Sequence, residues 1–293
     1  MIEKEQSYIL KIEDMSTEGQ GIGRIEGMTV FVDGALVGDV VKAELTRMKK
    51  NYAFGRLTEI LEPSPLRIEP SCRHAGDCGG CSLQAMSYEG QLAWKRKMVE
   101  DKLIRIGGVK NPVVHDTIGM EKPWRYRNKA QFPVGEANGP ARSAAVGFYQ
   151  AKSHQVVNCS ECLIQSEPAE KLARVLRAYM KSDHVSAYNG NAGKGLIRHL
   201  IVKTAFRTGE VMVILVINGK GLPNGEKLVH MMDDAVSGLA PDPETGVEFS
   251  LESVILNINK KKTQEIMGED CVTLAGKPTI LEQAGGLLFE ISP

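Results

Sequence analysis

LIRHLIVKTAF, residues 196–206, and VMVILVIN, residues 211–218, are separated by little more than Arg207-Thr208-Gly209. Two runs rich in β-branched residues, joined across a short Gly-bearing turn, read as a β-hairpin. Around it, Lys129–Val134 and Ser143–Tyr149 read as paired strands and Val254–Asn259 as a further strand. Glu167–Lys181 is predicted helical with Leu172, Val175, Leu176 and Tyr179 facing inward, and Glu226–Leu239 forms another helix. Hairpins interrupted by helices predict an α+β fold with a mixed antiparallel sheet, not a doubly wound parallel one.

Towards the N-terminus the pattern changes. Tyr8–Ile12, Met28–Val32, Val41–Arg47 and Ala53–Leu61 are short strands separated by turns, and Val41, Ala43 and Leu45 alternate with Lys42, Glu44 and Thr46. Short strands at this density predict a small barrel of the oligonucleotide-binding type over residues 1–62. Lys42, Arg47, Lys49, Lys50 and Arg56 gather around its last hairpin, with Tyr52 and Phe54 between them. Cations interleaved with aromatic rings can pair with phosphates and stack on bases, although such a hairpin can also be merely solvated.

Pro63, Pro65 and Pro70 mark a connector, residues 63–83, and within it stands Cys72-Arg73-His74-Ala75-Gly76-Asp77-Cys78-Gly79-Gly80-Cys81. Two thiols separated by two residues can turn toward one centre, and the glycines let the backbone curl. The C-x5-C-x2-C spacing points to a soft metal or an iron–sulfur cluster, and zinc on four thiolates remains an alternative. Residues 84–293 form the remaining domain. It opens on a helix, Gln84–Ile106, with Leu92, Val99, Leu103 and Ile106 near one face and Lys95, Arg96, Lys97, Lys102 and Arg105 exposed.

Six cysteines in 293 residues are too few for a disulfide scaffold. Met1 opens a charged segment with no apolar core behind it, and no apolar run approaches the roughly 20 residues that span a bilayer. A cytoplasmic protein without a membrane partner is expected. Formal net charge is zero, so only the distribution of charge can speak for nucleic acid.

Read in order, the barrel, the cysteine loop, Trp124-Arg125-Tyr126-Arg127-Asn128-Lys129-Ala130-Gln131-Phe132, Gly147-Phe148-Tyr149 and Val156–Gln165 resemble the bacterial RNA (uracil-5-)methyltransferases. The likeness is to those that modify 23S ribosomal RNA and carry an N-terminal TRAM domain. It implies that Cys72, Cys78, Cys81 and Cys162 hold a structural [4Fe–4S] cluster, with Cys162 chosen over Cys159. It further implies S-adenosylmethionine as cofactor and 23S rRNA as partner, and a monomer is expected. Lys122, Arg125, Arg127 and Lys129 form a second basic cluster, of which Arg125, Arg127 and Lys129 are expected RNA contacts. In that family a cysteine thiolate adds to carbon 6 of the uracil, carbon 5 takes the methyl group, and a base then removes its proton.

No Gly-rich loop with a downstream acidic residue, the usual cofactor fingerprint, occurs in the last third. The sequence stops at Leu288–Pro293, where the family's Rossmann-like domain would be entered. The expectation is therefore an RNA-recognition portion without the catalytic domain, inactive alone and with no catalytic or S-adenosylmethionine-binding residue of its own. Cys271, with no adjacent histidine, reads as a small structural residue, and His199 as a satisfied one. A non-enzymatic RNA-binding module with a zinc site is the alternative. A radical S-adenosylmethionine enzyme is disfavoured by the cysteine spacing.

Overall fold

Five strands close into a barrel: β1 (Ser7–Met15), β2 (Gly21–Ile25), β3 (Met28–Asp33), β4 (Val40–Met48) and β5 (Tyr52–Glu62), in the order β1-β2-β3-β5-β4. The computed structural model describes residues 2–137, 144–262 and 265–293. Closure removes the exposed strand edges that a five-stranded open sheet would leave. The alternation does the rest, since Leu10, Ile12, Val30, Val32, Val41, Ala43, Leu45 and Ala53 all point inward and are buried.

Asp39 anchors the barrel to the segment that leaves it. Its carboxylate accepts from the backbone N–H of Leu36 (2.7 Å) and Ser64 (2.7 Å), and from Arg67 Nε (3.1 Å) and Nη2 (2.5 Å). Burial pushes this carboxyl up, but the Arg67 guanidinium and the two amides outweigh it and hold it below the usual range.

The chain divides into two compact units, Met1–Gly76 with Cys81–Glu121, and Asp77–Gly80 with Lys122–Pro293. Helix α1 (Tyr88–Arg105) therefore clusters with the barrel, whereas the boundary at residue 84 read from the sequence groups it with the sheet. Ser87 caps it by accepting from Gly90 N at 3.2 Å. The apolar face expected along it is not inward. Val99, Leu103 and Ile106 are 46%, 36% and 82% exposed, because another side of the helix docks: Gly90 packs closely on Met86, Trp94 packs against the cluster of Met15, Leu36 and Met86, and Lys97 pairs with Asp14 at 3.1 Å.

In the second unit a seven-stranded sheet runs β12-β11-β10-β9-β6-β7-β8. Its members are β6 (Lys129–Glu136), β7 (Ala144–Tyr149), β8 (Val156–Asn158), β9 (Ile197–Thr204), β10 (Glu210–Ile217), β11 (Ser250–Ile258) and β12 (Asp270–Gly276). Ser143, read as the start of one strand, lies outside the described residues. The hairpin at 196–218 forms as β9 and β10, with Ile214 opposite Ile201. Helices α2 (Glu167–Ser182) and α3 (Gly225–Ser237) pack together in one core with Leu200, Val202, Val213 and Leu215. Alternate residues Ile201, Met212, Ile214 and Val216 form a second core with Ile280, the first residue of β13 (Ile280–Ala284). The opposed alternation explains why almost all of β10 is buried.

One pairing in this sheet departs from the antiparallel pattern, as β3 with β5 does in the barrel. β11 runs parallel to β10, with α3 lying between them in sequence. Parallel neighbours need such a crossover, so the helix after β10, rather than a tight turn, sets the direction of β11.

Candidate functional site

The barrel carries an outward-facing row of rings. Register places Phe31 opposite Phe54, and Phe54 opposite Arg47. The rings of Phe31, Tyr52 and Phe54 lie 5.6–5.9 Å apart, two of the three pairs edge to face, and Arg47 stands 6.0 Å above Phe54. Tyr52 is 38% exposed, and Lys42, Lys49 and Lys50 are exposed. The turn from β4 to β5 is fixed by Lys49 N donating to Tyr52 O at 2.8 Å. Of the basic residues read from the sequence, Arg56 is distinct: it ion-pairs with Glu44 at 2.6 Å. Phe31 was missed, although its place in Met28–Val32, alternating with Val30 and Val32, puts it on the outer face.

The cysteines fall in both units. Cys72 and Cys81 belong to the first, and Cys78, Cys159 and Cys162 to the second. Within the second, Gly79 N donates to Tyr149 O at 2.9 Å and Cys78 bridges to Gln150, so this short segment runs beside the end of β7. A Cβ at Gly79 would press on Tyr149 O and Ala151 at 3.1 Å, and this is why the position needs glycine.

Cys159 is buried, with its sulfur 2.8 Å from Glu161 O. Its hydrogen bond with Cys162, reinforced by burial, pushes the Cys159 thiol far up. The same bond draws Cys162 down, aided by the N–H groups of Ile164 and Gln165. The two thiols are thus unequal: Cys159 is held protonated while Cys162 is poised as the thiolate. Among the described residues, no group of three or more His, Cys, Asp or Glu side chains is placed to hold a metal ion. The donor set nonetheless suits a thiolate-bound group, since the Cys162 sulfur is the one drawn toward the thiolate. The fully buried Gln165 has both amide atoms unpartnered in the Cys162 turn.

Arg125, Arg127 and Lys129 separate into different roles. Arg125 is half-buried and paired with the buried Glu170 at 2.7 Å. Arg127 and Lys129 are exposed beside the exposed rings of Trp124 and Tyr126. His199 is not the satisfied residue expected, for its Nδ1 is buried without a partner. Burial, then the Arg198 charge, lowers it to about 4. Cys271 is exposed at the start of β12, where its sulfur accepts from Asn257 Nδ2 at 3.2 Å. Asn257 and Asn259 are buried and hold the following loop, with Nδ2 of each donating to backbone carbonyls.

Residues 5–58 match the TRAM domain, so the barrel is of that class. Over its whole length the chain has relatives that bear the name uncharacterized RNA methyltransferase. The one from Clostridium tetani is 39% identical over 292 residues, 100% of this chain and 60% of that protein. The one from Caldanaerobacter subterraneus subsp. tengcongensis is 44% identical over 288 residues, 98% of this chain and 60% of that protein. In three dimensions the chain resembles the Pyrococcus abyssi tRNA (uracil-54, C5)-methyltransferase solved with S-adenosyl-L-homocysteine. The TM-score is 0.68 at 22% identity, over 97% of this chain and 59% of that one. The chain thus spans about 60% of the length of the curated relatives it matches.

These matches correct two expectations. The sequence reading set an α+β fold apart from any Rossmann-like methyltransferase, whereas 97% of the chain follows the fold of a methyltransferase. The expected inactivity for want of a catalytic domain is overturned by the same finding and by the relatives' names. A cofactor fingerprint is a local motif, and its absence from one stretch does not weigh against a likeness carried by the course of nearly the whole backbone.

Proposed function

We propose that the chain works in an S-adenosylmethionine-dependent RNA (uracil-5-)methyltransferase of the cytoplasm, acting as a monomer on 23S ribosomal RNA. The observation that carries this is the pairing of an RNA methyltransferase likeness along the whole chain with the ring row on its TRAM barrel. Phe31, Tyr52 and Phe54 offer faces on which splayed bases stack, while Arg47, Lys49 and Lys50 meet the phosphates between them. Arg127 and Lys129, with Trp124 and Tyr126, are a second contact strip. Among the described residues no helix is long and apolar enough to cross a membrane.

Cys72, Cys78, Cys81 and Cys162 are proposed as the ligands of a [4Fe–4S] cluster. Their spacing and the thiolate poise of Cys162 support this, and the cluster would order the chain rather than take part in methyl transfer. Replacing any of the four by Ser should abolish iron and visible colour, whereas Cys159→Ser and Cys271→Ser keep both. Zinc in a colourless protein would reassign the metal.

Deleting the encoding gene and counting 5-methyluridine by mass spectrometry tests the activity. Loss of one such nucleotide from 23S rRNA is expected. Loss from tRNA instead would reassign the RNA, and no loss from either would overturn the reading.

A further inference from the structure

The turn Cys162–Gln165 is held by a single short stretch of chain. Arg125 N donates to Leu163 O at 2.8 Å, and Arg127 N to Ile164 O at 3.1 Å. Arg125 Nη1 reaches Cys162 O at 3.4 Å and Gln165 O at 3.2 Å. All four carbonyls of the turn therefore accept from Arg125 or Arg127. The N–H of Cys162 goes the other way, donating to Glu170 Oε1 at 2.5 Å, the same oxygen that Arg125 Nη1 meets at 2.7 Å.

Glu170 is only 7% exposed, and it sits in the first turn of α2, where the helix N-terminus favours a carboxylate. Arg125 has φ +57°, a left-handed conformation that costs a non-glycine residue energy and persists only where the surroundings fix it. Here those surroundings are the contacts just described, since Arg125 directs both its backbone N–H and its guanidinium at the same turn.

We propose that the Arg125–Glu170 pair is the positioning device of the Cys162 turn, fixing the sulfur for its iron. This rests on the reading of Cys162 as a cluster ligand. It removes Arg125 from the RNA contacts and gives it a different task. Groups that orient a metal ligand through hydrogen bonds typically matter about 10- to 100-fold in metal retention.

The test reconstitutes the full chain anaerobically with iron and sulfide, then follows iron content, the decay of visible absorption in air, and thermal melting. Arg125→Ala and Glu170→Ala should each shorten the lifetime of the colour about tenfold. Arg127→Ala, which keeps its backbone donor, should leave it unchanged. Because a stranded buried charge also destabilises the fold, the deciding variant is the double Arg125→Met, Glu170→Met. Replacing both partners by apolar groups restores packing without stranding either charge. Its melting should return toward the parent's while its colour still decays about tenfold faster. Parental colour lifetime in the double variant would overturn the inference and leave the pair a fold-stabilising contact alone. Full iron in Cys162→Ser would instead overturn the reading of Cys162 as a ligand.

Discussion

Asp39 shows how much one side chain can carry. It is fully buried and gathers four donors from Leu36, Ser64 and Arg67, while Arg67 also reaches Gly34 O at 2.9 Å. Asp39→Ala strands the guanidinium and two amides together, a loss of roughly 3–5 kcal/mol for breaking a buried pair. A fall of the barrel's denaturation midpoint checks this, and an unchanged midpoint would show that water replaces the carboxylate freely. Gly147 is a steric counterpart in the other unit, for a Cβ there would sit 1.9 Å from Val157 O. Gly147→Ala should therefore disrupt the pairing of β7 with β8, visible as faster amide exchange at Tyr149 and Asn158.

At the scale of elements, the barrel's outer row makes two separable predictions about RNA. Lys49→Glu with Lys50→Glu removes charge that would displace counterions, so filter-binding affinity should fall and its dependence on salt should flatten. Phe31→Ala removes a stacking face worth about 1–3 kcal/mol per base, so affinity should fall with the salt slope intact. A parental affinity in Phe31→Ala would mean that the rings pack only on one another. Lys227 is no neutral control for such charge reversals, since its ammonium pairs with the well-buried Asp183 side chain at 2.6 Å.

For the molecule as a whole, acid should loosen the fold in two steps. His199 takes up its proton near 6.5 when unfolded but only at about 4 when folded. The unfolded chain thus binds more protons between those values, and stability, complete above pH 6.5, declines by up to about 3 kcal/mol as pH falls toward 4. Asp39 acts lower: its depressed carboxyl contributes above the unfolded value of 3.8 and is lost as pH falls through the folded one. Melting followed from pH 7 to 4 should show the first decline, and His199→Asn should flatten it. An equal decline in that variant would assign it to other groups.

What the sequence alone determined are the features written in neighbouring residues. Short strand-like runs placed four of the five barrel strands, missing β2 in a glycine-rich stretch. Two β-branched runs across a Gly-bearing turn placed the hairpin at 196–218, and the period of 3.6 placed α2. Glycines at 79 and 80 marked where the backbone must curl, and cysteine spacing marked the thiols. Only the tertiary structure decided the rest, because those facts are contacts between residues far apart in the chain. No periodicity in β11 says that it lies parallel to β10. Arg125 reads as one more cation in a basic run until Glu170, 45 residues later, meets it at 2.7 Å and turns it inward. Likewise α1 has an apolar stripe by its sequence, but burial needs a partner surface, and the side that finds one carries Gly90 and Trp94 while Val99, Leu103 and Ile106 stay exposed.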